Sequence, residues 1–492
     1  MSLVLHPSDD VEIVTAPTEI GGTRLTPGHK LARHPLATGA AVRKFGQVIG
    51  YATTDIATGD HVHSHNCAFG AHDQDYRVSD GLDAARAALP APGEATFQGY
   101  RRANGQVGTR NYIALVATVN CSGTVIRRAA EILNARLADE PAIDGVVAFA
   151  HGSGCGMAQT GTGADFLSRV LWGHATHPNV GAAVFVGLGC EVFQVARMKQ
   201  AYGGNPDRFH GLTIQDNGGT AQTIDTIVAR VMDLVPEVAS ARRTPCPASE
   251  LKVALQCGGS DGLSGITANP ALGVASDMLA ALGGSPILAE TPEIYGAEQL
   301  LLSRAADGAV ADKLIERVRW WEAYTEMHGG SMDNNPSPGN KAGGLTTILE
   351  KSLGAVAKAG QGPLASVVDY AAPVTTPGLC FMDSPGFDPV SVTGQIAGGA
   401  QVVVFTTGRG SAFGSKPAPT IKLATNDALW QRMEPDMDIN CGDVVSAQVP
   451  LADKGREIFD MILRVASGEA TKSEALGLGD NEFVPWQVGA VM

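Results

Sequence analysis

At 492 residues the chain has room for about three domains of ordinary size, and 44% hydrophobic against 17% charged residues excludes a disordered chain. Its formal charge of −14, from 36 basic and 50 acidic residues, disfavours a nucleic-acid partner, which needs a basic surface. Sixty glycines beside 5% aromatics suit an α/β fold whose strand-to-helix turns approach a ligand closely.

Residues 1–90 carry short apolar pieces such as Val11–Val14 and Gln47–Tyr51, broken by Gly, Pro and Asp, and read as a small β-rich domain. Ala84–Gln98 reads as a flexible linker. From residue 98 to 240 the pattern becomes strand, glycine turn, helix. Tyr112–Val119 precedes NCSG and a helix over Val125–Leu137; Gly145–Ala150 precedes HGSGCGM and a second helix. Ala182–Val186 leads into GLGCE and a third helix, and Leu212–Gln215 into the helix Ala221–Leu234. Such repeats predict a largely parallel sheet covered by helices. After a second linker, Ala239–Ser249, residues 250–492 form another α/β domain with strands Lys252–Gln256, Pro286–Ala289 and Val402–Thr406, a helix Ala271–Leu282, and a polar loop from His328 to Gly344.

No run approaches the roughly 18 apolar residues of a membrane helix, and MSLVLHPSDD lacks the basic and apolar regions of a signal peptide. Eight widely spaced cysteines in a long chain read as thiols rather than a disulfide framework. The expected compartment is the cytoplasm.

In open α/β sheets ligands bind beyond the carboxyl ends of the strands. Those ends hold Cys121, His151 with Cys155, Cys190 with Glu191, Cys257 with Asp261, and Glu290 with Glu293. A lone buried cysteine is ordinarily a small hydrophobe; four at equivalent turns suggest more. In HVHSHN, an extended strand puts His61, His63 and His65 on one face, where imidazoles can converge on a metal, the bland alternative being a solvated polar edge. TGRGSAFGSKPAP offers Arg409 and Lys416 in a glycine-rich loop able to hold a carboxylate; it matches neither the phosphate-binding P-loop nor a dinucleotide turn.

GHKLA, KFGQVIGYAT and GDHVHSHN resemble the small SAF-type β-clip domain of the altronate/galactarate dehydratase family. YRRANGQVGTRNYIALVATVNCS, HGSGCGM and HPNVGAAVFVGLGCE resemble its second domain. LQCGGSDGLSGITANPALG, AETPEIYGAE, FMDSPGFDPVSVTGQIAGGA, TTGRGSAFGSKPAPTIKLATN and DMDINCG resemble its C-terminal domain. The resemblance runs end to end. It implies a hydro-lyase that converts an aldonic or aldaric acid to a 2-keto-3-deoxy acid and depends on a divalent metal, Fe2+ or Mn2+. Relatives of the same fold include sulfolactate sulfo-lyases, so a sulfo-lyase or another 2,3-dihydroxy-acid dehydratase is the alternative activity.

For such a reaction in so acidic a chain, a local cationic patch or a metal must attract the substrate. His63 and His65 are then the expected metal ligands, and His61, Asp261, Arg409 and Lys416 the expected substrate contacts. His151, Glu290 and Glu293 are the acid or base candidates. Three thiolates, Cys155, Cys190 and Cys257, holding an iron–sulfur cluster form an alternative metal site. The partners expected are a small-molecule sugar acid and, in a homo-oligomer, further copies of the chain, with no nucleic acid or membrane. Rival classes are a nicotinamide oxidoreductase, for which no dinucleotide turn is found, and a non-catalytic sugar-acid binder, which leaves the strand-end residues unexplained.

Overall fold

The computed structural model describes residues 2–70, 74–91, 93–196 and 209–491. The first seventy residues fold into antiparallel ribbons. Ser2–Leu3, Val11–Val14, Lys30–Ala32 and His61–Val62 form one sheet, and Ala41–Lys44, Gln47–Ala52 and Cys67–Ala68 another. Their inward side chains, Val11, Val42, Ile49 and Val62, do not make a separate core. They join one apolar cluster with Leu255, Leu272, Leu301 and Ile458 of the C-terminal domain.

The second domain has a parallel sheet in the order Gly145–Phe149, Tyr112–Ala117, Val180–Gly187, Phe209–Thr213. Its central strands are buried on both faces and therefore read as unbroken apolar runs. The helix Asn120–Arg136 starts five residues earlier than the periodicity predicts, so Cys121 and Ser122 lie in its first turn. Val125, Ile126, Ala129, Ala130 and Leu133 form the buried stripe that packs it on the sheet. The helix expected after Gly187–Glu191 is described only at Val195–Ala196, and the rest of the segment, residues 197–208, lies outside the described residues.

The C-terminal domain is built on seven parallel strands in the order Leu364–Val368, Leu379–Met382, Ser285–Ala289, Lys252–Cys257, Val402–Thr407, Thr420–Ala424, Ile439–Asn440. The chain leaves the central strand Lys252–Cys257 toward one edge and later returns to build the other. The order therefore reverses between Lys252–Cys257 and Val402–Thr407, and a crevice opens outside their carboxyl ends at such a switch point. The amphipathic helix Leu451–Ala466 buries Ile458, Phe459, Ile462 and Val465 beside Ala268–Ala281.

Both expected linkers prove to be built into the fold. Leu82–Ala88 is helical, and Thr96–Arg101 pairs antiparallel with Arg243–Pro247, so the two segments clasp each other at the root of the second domain. The SAF-type domain is likewise fixed rather than loose. Lys30 and Lys44, both fully buried, converge on Glu350 at 2.8 and 2.9 Å, and Lys30 also donates to the Gly344 carbonyl at 2.6 Å. Backbones meet directly here: a Cβ on Gly262 would lie 2.1 Å from the Gly28 oxygen, so only glycine allows this approach. No helix among the described residues is long and apolar enough to cross a membrane.

Candidate active site

Four adjacent strands deliver their following turns to the switch-point crevice. Lys252–Cys257 supplies Cys257, Gly258 and Gly259; Ser285–Ala289 supplies Glu290 and Glu293; Leu379–Met382 supplies the turn through Asp388; and Val402–Thr407 supplies Gly408 and Arg409. The helix Ile348–Val356 and the single turn after it add Lys351 and Lys358.

Glu290 and Glu293 are buried at 1% and 3% exposure. Glu290 sits in the left-handed region at φ 74°, a conformation costly for a side chain bearing a Cβ and characteristic of constrained functional turns. The surroundings hold it there. Its N–H donates to Ser384 Oγ at 3.0 Å, Thr291 N–H donates to the Ser384 carbonyl at 3.0 Å, and Thr291 Oγ1 donates to Asp383 at 2.6 Å. Both carboxyl oxygens of Glu290 are buried and have no donor from the surrounding residues; the group they share a hydrogen bond with is the Glu293 carboxyl. Burial first, then the negative charges of Glu293 and Asp388, push the pKa of this carboxyl well above the usual range, which favours its protonated form. Glu293 is its opposite. Burial alone would raise it, but Lys351, which ion-pairs with it, and Lys358 outweigh that and hold it ionised. The pKa values of two carboxyls three residues apart are thereby pushed in opposite directions, the arrangement by which acid–base pairs are made.

Cys257 lies under this pair. Its thiol donates to Glu293 at 3.3 Å and accepts from Lys358 Nζ at 2.8 Å, and burial followed by the Glu293 charge pushes its pKa up. Asp388, at the first position of the helix Asp388–Ala397, is partly exposed above Gly258; burial and then Glu293 raise it to about 7. Arg409 stands exposed at the rim, its backbone N–H donating to the Gly259 carbonyl at 2.9 Å.

The remaining expected site residues divide. Asp261 is no open substrate contact. Its carboxylate accepts from Leu263 N–H, Ser264 Oγ and Thr425 Oγ1 at 3.2, 2.9 and 3.0 Å, and from Asn426 at 2.9 Å, so it organises the loop around itself. Lys416 lies beyond the amino end of Thr420–Ala424, away from the crevice, and pairs with Asp480 at 2.6 Å. His151 belongs to the second domain, where it lines a cavity of about 350 Å³ with Asn120 and Arg127. Its Nε2 reaches the Ala117 carbonyl at 3.0 Å and its Nδ1 accepts Ser153 N–H at 3.2 Å, leaving no nitrogen for proton transfer. Cys155 and Cys190 are exposed on the second domain, whereas Cys257 is buried against Lys358. Among the described residues no three His, Cys, Asp or Glu side chains gather as a metal-holding group, so the three thiols do not converge.

The histidines of HVHSHN do gather, by a different route from simple alternation. The strand ends at Val62 and the chain turns over His63–Asn66; the rings still lie 5.3 Å (His61–His63) and 5.5 Å (His61–His65) apart. A fourth, His29, joins from the neighbouring strand segment, its Nδ1 3.0 Å from His61 Nε2. Burial and nearby positive charge lower His29 to about 4 and His61 to about 3, keeping them in the neutral form that ligates metal. His63 Nε2 instead meets the Lys341 carbonyl at 2.9 Å, and Asn340, from the same short helix Pro338–Ala342, donates to the Ser260 carbonyl at 2.8 Å. One helical turn thus links the imidazole patch to the crevice loop. His29 Nδ1 and His61 Nε2 share one hydrogen bond, and His29 also bonds the Ala342 backbone, so a divalent cation would have to replace these bonds to take the two imidazoles as donors.

A switch point with two buried carboxyls whose pKa values are pushed in opposite directions and two buried lysines, flanked by an imidazole patch on the small N-terminal domain, suits an α/β enzyme acting on an anionic substrate. Three family models match the chain in succession: the altronate/galactarate dehydratase SAF domain over residues 1–69, the second domain of D-galactarate dehydratase/altronate hydrolase over 99–239, and the C-terminal domain of D-galactarate/altronate dehydratase over 248–491. The altronate dehydratase of Escherichia coli (strain K12) is 38% identical over 91% of this chain and 89% of its own length. That of Bacillus subtilis (strain 168) is 37% identical over 91% and 88%. The L-threo-forming galactarate dehydratase of Escherichia coli (strain K12) is 34% identical over 96% and 94%. The chain belongs to the altronate/galactarate dehydratase family.

Sequence reasoning missed His29, Lys351, Lys358 and Asp388. Asp388 was within reach of the strand-end rule, since it follows Leu379–Met382 in FMDSPGFDP, a strand not read as such. The lysines carry no local signal, because only the fold brings their helix over the crevice.

Proposed function

We propose that this chain is a carbon–oxygen hydro-lyase that dehydrates a 2,3-dihydroxy sugar acid, of the D-altronate or galactarate kind, to the 2-keto-3-deoxy acid. The observation that carries the proposal is the buried Glu290–Glu293 pair, with Lys351 ion-paired to Glu293 and the pKa of Glu290 pushed up by burial, at the switch-point crevice of a chain belonging to this family. The reaction breaks the C2–H and C3–O bonds and forms C2=C3; the enol then becomes the keto acid and water leaves. A proton beside a carboxylate is barely acidic, because its loss creates a second negative charge. Lys351 and Lys358 supply buried positive charge against that development, which a site closed to water makes effective. Glu290, whose pKa burial pushes up, suits assistance to the departing C3 hydroxyl as a general acid. Arg409 at the rim is placed to receive the substrate carboxylate through two parallel hydrogen bonds.

Fe2+ or Mn2+ is the proposed cofactor, with His29 and His61 as its protein donors and His63 and His65 close by. Such an ion, when bound, spreads the charge of the substrate carboxylate and adjacent hydroxyl. The proposed setting is the cytoplasm, as a free-standing or self-associating enzyme.

Protein purified without oxygen and supplied with Fe2+, assayed on a panel of aldonic and aldaric acids, is expected to release 2-keto-3-deoxy acid from at least one. Iron without acid-labile sulfide is expected to accompany activity. No product from any panel member, with either metal, refutes the assignment, and sulfolactate is the next substrate to try.

A further inference from the structure

We propose that Asp388 is the general base that removes the C2 proton, a catalytic residue of the site to which Glu290 contributes the acid. The inference rests on the dehydratase reading and assigns the role that reading leaves open.

Glu290, Glu293, Cys257, Lys351 and Lys358 are all buried, and Glu293 and Cys257 have their polar atoms engaged. The turn Pro385–Asp388 packs over Glu293 and Gly258. A Cβ on Gly386 would lie 3.4 Å from Glu293 Cγ, and one on Gly258 would lie 2.3 Å from Asp388 Oδ2. The Asp388 carboxylate therefore rests on the bare backbone of Gly258, between the buried charges and solvent, where a side chain at 258 would displace it. Its neighbours Asp261 and Asp383 are tied by side-chain donors, Asp383 by Thr291 and Trp321. Among the described residues Asp388 has no such donor and meets only its own backbone N–H. A carboxylate free on one face, at a crevice mouth, can reach a substrate carbon; one satisfied by four donors cannot.

The charged and titratable groups facing it are Glu290 and Glu293 from the turn after Ser285–Ala289, Cys257 below Gly258, and Lys351 and Lys358 from the helix above. Burial, then the fixed negative charge at Glu293, opposes ionisation of Asp388, and Lys351 and Lys358 partly offset them, which leaves its affinity for protons close to that of a base working near neutrality.

The test is steady-state kinetics of Asp388→Asn and Asp388→Glu on galactarate and D-altronate, with deuterium uptake at C2 of recovered substrate in D2O. Asp388→Asn is expected to lose about 10²–10⁴-fold in kcat with KM changed less than about threefold, to lose the acidic limb of the kcat/KM profile, and to abolish C2 exchange. Asp388→Glu, which keeps the carboxylate, is expected to recover part of the loss. Asp388→Asn within about threefold of wild type, or with the acidic limb and C2 exchange intact, overturns the assignment. An inactive wild type would sink the dehydratase reading instead, so the two failures are told apart.

Discussion

Arg409 and Lys416 share one loop and one charge in the sequence, yet seven residues carry the chain from the carboxyl side of the sheet to beyond the amino end of Thr420–Ala424. If Arg409 receives the substrate carboxylate, Arg409→Ala raises KM by about tenfold or more, while Lys416→Ala stays within about twofold; steady-state kinetics on a turned-over sugar acid reads both. The tenfold figure corresponds to about 1.4 kcal/mol, a modest value for a charge-assisted bidentate contact. Equal effects would place the substrate elsewhere. Residue identity at strand ends was legible, since the same rule found Glu290, Glu293 and Cys257. It could not tell an open carboxylate from one such as Asp261, whose donors come from Thr425 and Asn426, over 160 residues away.

At the scale of elements, the parallel strands were readable because burial on both faces leaves apolar runs with no polar alternation, as in Tyr112–Ala117 and Val402–Thr407. The attachment of the small domain was not. It depends on Lys30 and Lys44 finding Glu350, which lies more than 300 residues away and carries no pattern of its own. Burial would raise the Glu350 pKa, but the two lysines hold it at about 2. Glu350→Ala leaves two buried cations uncompensated, a loss of about 3–5 kcal/mol. We expect that loss in urea unfolding, with faster hydrogen exchange in Val11–Val14 and Lys30–Ala32. A variant as stable and as protected as wild type would mean that the shared apolar core alone holds the domain.

Over the whole molecule, buried neutral histidines join the domains. His177 Nε2 meets the Ala400 carbonyl at 3.0 Å and its Nδ1 accepts Asn179 N–H at 3.1 Å, a pattern that only the neutral ring satisfies. Burial, then His174, lowers it to about 3 against an ordinary 6.5. The unfolded chain therefore takes up this proton first as pH falls. Its contribution is full above about 6.5 and is lost progressively down to about 3. Relative to His177→Gln, which can keep both hydrogen bonds, wild type is expected to lose stability between pH 7.5 and 4.5; a constant difference in Tm over that range would contradict it.

Glu290 is the central group of the proposed site: left-handed, buried, and with its pKa pushed well above the usual carboxylate range. The direct measurement is kcat/KM of Glu290→Gln on the sugar acid that wild type turns over, with thermal unfolding of both proteins alongside. A loss of at least about 10²-fold with an unchanged unfolding profile is the predicted result. Activity within about threefold of wild type would contradict the account and move the chemistry out of this crevice.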